Sequence, residues 1–153
     1  GLKAAVRLNG TTDVKWESTP VVIDGVKIAN NIMELYPDLI YYDYTAWPYA
    51  KRPNESLPIN YHLTFSRKEN NDSQIADNIS HGRNVTVVVD IPSRDKSTAI
   101  PITWREIPTF DADRSDFRPN DPIGRILILR YKSAKASSLA DALASGFVVP
   151  AFQ

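Results

Sequence analysis

Three carboxylates occupy the places where apolar strands give way to polar chain, which is where a general acid/base pair would be built. Asp43 interrupts the apolar run LIYYDY, Glu69 follows NYHLTFSR, and Asp90 closes NVTVVVD. Burying a carboxylate is costly unless it has a partner, so Asp43 stands apart from an ordinary surface acid. Asp43, Glu69 and Asp90 are therefore the catalytic candidates. Around them, Asn9 and Asp13 follow the first strand, Thr45 follows the second, and Ser66 and Arg67 follow the third. The loop DADRSDFRPNDP adds Asp111, Asp113, Asp116 and Arg118. From this set we take Asn9, Asp13, Thr45, Ser66, Arg67, Asp116 and Arg118 as ligand-binding candidates. Arg67 or Arg118 could clamp a phosphate or carboxylate with the planar fork of a guanidinium.

Each residue also has a plain structural reading. Asn9-Gly10 is a turn dipeptide before it is anything else. An Arg67–Glu69 pair at a strand end is commonly a surface ion pair of small worth. His62 fits a role inside its sheet. Two functions from different classes therefore compete. One is an enzyme fragment or domain acting on a small phosphate- or carboxylate-bearing or nucleotide ligand. The other is a non-catalytic binding or regulatory module in which these residues cap, turn and solvate. Proximity separates the two, because only the first needs the carboxylates to converge.

The elements that must position these residues are mainly strands, near residues 4–9, 39–45, 60–66, 84–90 and 123–131. Tyr61, Leu63 and Phe65 alternate with His62, Thr64 and Ser66 in the two-residue period of a half-buried strand. Ile28, Ile32 and Leu35 predict a helix from about Val26 to Leu35, stopped by Pro37. A short helix bearing Ile75, Ala76 and Ile79 is expected between Asp72 and Gly82, and another over Ser138 to Ala144. Ile102 to Ile107 reads as extended, Asp111 to Pro122 as an elaborate loop, and Phe147 to Val149 as extended. Near-continuous apolar strands joined by crossovers indicate one α/β domain over residues 1–153, with a predominantly parallel sheet. The sheet is expected to be half β/α-barrel-like or small and open. In both arrangements ligands gather at the carboxyl ends of the strands. The open edges of such a sheet call for a homo-oligomer or a partner chain.

Composition narrows the chemistry. With no cysteine and only His62 and His81, the chain by itself cannot supply a structural zinc site, a thiolate cluster, a disulfide or a nucleophilic thiol. No metal ligand set and no particular cofactor is indicated, although carboxylate-bound magnesium or calcium stays open. Eighteen basic residues balance eighteen acidic ones, so net charge does not indicate nucleic acid. The apolar runs are strand-sized, and the chain reads as soluble and cytoplasmic, without a membrane span. The sequons at Asn9, Asn54, Asn71, Asn78 and Asn84 are read as chance in an Asn- and Ser-rich chain.

The stretches AAVRLNGTTDVKWE, ELYPDLIYYDYTAWP, LPINYHLTFSRKENN, NVTVVVD, DADRSDFRPNDPIGRI and GFVVP, in this order, resemble an uncharacterised bacteriophage protein family. That family is distantly similar to the phage "gene product 88" proteins. The resemblance covers nearly the whole chain and implies a viral context, with the host cytoplasm as its setting. Longer members carry an upstream region with several cysteines. The resemblance therefore implies either that this chain is a fragment, such as the C-terminal part of that longer architecture, or a truncated homologue, or that a partner chain supplies the first half. Cysteine-dependent chemistry is then absent here.

Overall fold

The computed structural model describes residues 4–132 and 136–152. Among the described residues the strands are β1 (Ala5–Val6), β2 (Val21–Ile23), β3 (Val26–Ala29), β4 (Ile40–Thr45), β5 (Tyr61–Ser66), β6 (Val85–Pro92), β7 (Thr103–Trp104), β8 (Ile107–Asp111), β9 (Ile126–Tyr131) and β10 (Val148–Val149). The α-helices among the described residues are α1 (Ile32–Leu35), α2 (Ile75–Ser80) and α3 (Ala136–Ser145). The main sheet runs β1-β4-β5-β6-β9-β8-β7, with β10 also paired to β6, and β2-β3 form a separate hairpin. Every pair in the main sheet is parallel except β7-β8. The sheet is open, as its end strands β1 and β7 do not pair with each other. No helix among the described residues is long and apolar enough to cross a membrane.

Paired residues in a parallel register share a face, so the alternation within each strand assigns every side chain to one of two sides. On the first side Phe65, Val85, Val87, Val89, Ile126 and Ile128 form a core beneath Ile75 and Ile79 of α2. Next to it Met33, Tyr41, Tyr61 and Leu63 pack with Val6, Leu8 and Trp16. Burying each of the larger apolar side chains contributes roughly 1.5–3 kcal/mol. The second side carries Arg7, Tyr42, Tyr44, His62, Thr64, Ser66, Thr86, Val88 and Leu129. It is crossed by the segment 112–122, whose Phe117 meets Tyr42 edge-on at 5.6 Å. Pockets are left open on either side of this segment.

Two expected elements differ. The stretch expected to be a helix from Val26 is a hairpin, VVIDGVKIA, and the helix starts only at Ile32. Asp24 and Gly25 take φ of 50° and 78°, the two left-handed residues that a tight hairpin turn needs, and this local chemistry outweighs the helical spacing of Ile28, Ile32 and Leu35. Asn31 then caps the short helix by accepting the Glu34 N–H at 2.8 Å. ITWREI is likewise not one strand but the turn of hairpin β7-β8, with Arg105 and Glu106 at φ of 48° and 65°.

Candidate functional site

Asp43 points to the core side of β4 with Tyr41 and Thr45, and all three are buried. One carboxylate oxygen accepts the Asn9 main-chain N–H at 2.7 Å, and the other accepts the Tyr61 hydroxyl at 2.7 Å. Burial pushes the Asp43 carboxyl up, against the opposing pull of Asn9, Tyr61 and the nearby Arg52. Asn9 ties the loop that follows β1 into a knot. Its side-chain oxygen accepts from the Thr12 hydroxyl, the Val14 N–H and the Trp16 indole, while its amide donates to Val14 and Asp43. Asp13 accepts the Thr45 hydroxyl at 3.1 Å and the Ala46 N–H at 2.7 Å.

Arg52 closes this network from below. Its guanidinium is fully buried, paired with Glu17 at 2.7 Å and Asp13 at 2.9 Å, and donates to the Tyr61 hydroxyl at 3.0 Å. Burial pulls its pKa down, but the Glu17 hydrogen bond and the surrounding negative charge carry the net shift upward. The polar exits of β1 and β4 are thus held rigid by groups that do not themselves need solvent.

Above this scaffold lies a cavity of about 490 Å³ at the carboxyl ends of β1, β4, β5 and β6. Its floor is Ser66, Thr86, Val88 and Leu129, and its sides include Tyr44 and Phe147. Arg7, Lys68 and Lys132 stand at its rim. Arg7 lies 4.8 Å from the Tyr44 ring centre and Lys68 5.6 Å from that of Phe147. Among the described residues, neither Arg7 nor Lys68 has a carboxylate within ion-pairing distance. Gly10, Thr11 and Thr12 also line the cavity, and their main-chain N–H groups meet no protein acceptor among the described residues.

Of the ligand-binding candidates, Asn9, Asp13, Thr45, Ser66, Arg67 and Asp116 line this one cavity. Arg67 is largely spoken for: it pairs with Asp72 at 2.7 Å and donates to the carbonyls of Gly146 and Phe147. It therefore fixes the wall that carries Phe147. Arg118 lies elsewhere, in a second pocket on the same side of the sheet. The three catalytic candidates do not meet. Asp43 is beneath the cavity, Glu69 is exposed beyond its rim, and Asp90 accepts the Ala151 N–H at 2.8 Å and so anchors the chain after β10. No group of three or more acidic or histidine side chains suited to a metal ion occurs among the described residues.

Arg7, Lys68, Lys132 and Phe147 were not among the candidates. Arg7 directly follows Val6 at the end of β1, so its side chain falls on the side opposite Val6, and this adjacency is visible in the sequence. Arg52 and Glu17 carried no local signal, since each sits in a connection without regular periodicity.

An open, mostly parallel sheet with few helices defines the chain as a mixed α/β protein, with a small-molecule-sized cavity beside its polar strand ends. The family model for Gene product 88 matches residues 1–150, and the chain belongs to that family. No curated protein and no solved structure matches it.

Proposed function

We propose that this chain is a binding module for a small anionic ligand, phosphate-bearing and of up to nucleotide size, held in the cavity at the strand ends. The observation that supports this reading is that Arg7 and Lys68, which have no ion-pair partner among the described residues, line one cavity with Gly10, Thr11 and Thr12, whose main-chain N–H groups meet no protein acceptor there. The sheet acts on this reading as half of a β/α barrel, with the ligand at its carboxyl rim. A regulatory or sensing role in the host cytoplasm suits it better than acid–base catalysis, because Asp43, Glu69 and Asp90 do not share a reacting centre. Tyr44 and Phe147 offer ring faces for a planar group, while Ser66 and Thr86 offer hydroxyls.

Titration calorimetry with inorganic phosphate and with adenosine monophosphate tests the reading. Each charge-assisted hydrogen bond is worth about 1.5–3 kcal/mol, so the double variant Arg7→Ala, Lys68→Ala should weaken binding by about a hundredfold or more. Binding should also weaken as salt rises. Equal affinity in the parent and the double variant, or no heat with either anion, would reject it.

A further inference from the structure

We propose a second site, in the notch beside the amino-terminal half of β5, that takes the free carboxylate of an apolar residue attached through an amide, as at a peptide C-terminus. The notch exists because β5 and β6 are out of step: β5 starts at Tyr61, but β6 joins it only from Phe65, opposite Val85. The Phe65 N–H donates to the Asn84 carbonyl at 2.8 Å. Leu63, two residues earlier on the same edge, therefore turns its N–H and C=O toward a space with no strand opposite. The side chains of Tyr61 and Leu63 are packed in the core on the other side, so these residues meet the notch through their main chain. The cavity measures about 300 Å³, at the small end of ligand pockets.

Two buried arginines line it. Arg83 is 2% exposed, and its acceptors are all neutral: the Asn54 side chain at 2.6 and 3.1 Å, the Arg52 carbonyl at 2.7 Å and the Asn78 side chain at 3.4 Å. Arg118 is 4% exposed, faces Asp121 at 3.0 Å, and its Nε has no acceptor. A charge removed from water is costly unless countered. Arg118 has Asp121 as its counter-charge, but its buried Nε–H is still unmatched, and that donor is the one a ligand carboxylate would take. Burial holds Arg83 down to about 10, against the opposing pull of Tyr49, Glu55 and Glu17.

The rest of the ligand follows from the remaining walls. Ile59 and Ile123, fully and 79% exposed, stand at the mouth and would cover an apolar side chain. The unpaired edge at Leu63 would take the ligand's amide, as an added strand does. No wall residue is shared with the cavity at the carboxyl ends. The two pockets are separate, although the segment 112–122 contributes Asp116 to one and Arg118 to the other.

Amide NMR with N-acetyl-leucine as the probe, and N-acetyl-leucinamide as its uncharged control, tests the site. The acid should shift the signals of Leu63, Gly82 and Asn84, and the control should bind at least about tenfold more weakly. Arg118→Gln and Ile123→Ser should each weaken the acid by about tenfold. Arg83→Met is avoided because it is expected to unfold the region. The double variant Arg7→Ala, Lys68→Ala should leave these shifts unchanged, so failure of the anion cavity and failure of this notch are read separately. Shifts confined to Gly10–Asp13, equal binding of acid and amide, or no shift at millimolar acid would each overturn the proposal.

Discussion

Replacing Arg52 by methionine keeps most of the apolar stem and removes the charge, which isolates the electrostatic role of the buried network. The change strands the Glu17 carboxylate, whose side chain is only 6% exposed, and leaves Asp13 without its guanidinium partner. It also removes the donor to the Tyr61 hydroxyl. Breaking a buried ion pair by deleting one partner costs about 3–5 kcal/mol, because the surviving charge is uncompensated. Against a total stability of roughly 5–15 kcal/mol, the variant should sit near the edge of folding. Its melting temperature should fall by roughly 10 °C or more, at about 2–4 °C per kcal/mol for a domain of this size. Urea unfolding at neutral pH measures the loss directly, with an unchanged slope as the control for a two-state comparison. Adding Glu17→Gln should restore part of the loss, since the stranded charge is then gone. A loss below about 1 kcal/mol, the level of an exposed pair, would refute the claim that this network holds the strand ends.

Asp43→Asn should change the pH dependence of stability. Because the folded carboxyl titrates above its unfolded value, Asp43 contributes its full stability below about pH 4, and that contribution is lost as pH rises through the folded value. The difference between parent and variant should move in the variant's favour as pH rises from about 4. Melting curves across this window that show a flat difference, or the opposite slope, would remove the buried-carboxyl assignment. The hairpin β2-β3 leaves Val22, Ile23, Val26 and Ile28 between 44% and 62% exposed, and the sheet has open edges, so we expect a homo-oligomer. Light scattering should show it at micromolar concentration and show a monomer for Val26→Lys; a monomeric parent protein would rule it out.

Much of this architecture was legible in the chain because strands and their exits are local features. The runs around Tyr41, Leu63, Val87 and Ile128 are apolar enough to be buried, and a succession of such runs leaves few arrangements other than a mostly parallel sheet. The hairpins were missed for an equally local reason. The Asp24-Gly25 turn is a local signal that competes with the helical spacing of Ile28, Ile32 and Leu35, and the turn prevails. At Arg105-Glu106 there is no glycine to announce a left-handed turn.

What the chain determined by itself was which residues end strands, since alternating apolar side chains and polar exits are written within six or seven consecutive positions. Which of those residues share a cavity was decided only in three dimensions. Asp43 and Tyr44 are neighbours in sequence, yet the two-residue period of a strand sends one into the core network and the other to the open side. No short stretch shows which side the helices will cover. Arg52 meets Glu17 across 35 positions, and Arg67 meets the Gly146 carbonyl across 79. Such pairings depend on the order in which strands assemble, because a charge is buried only where folding has already brought its partner.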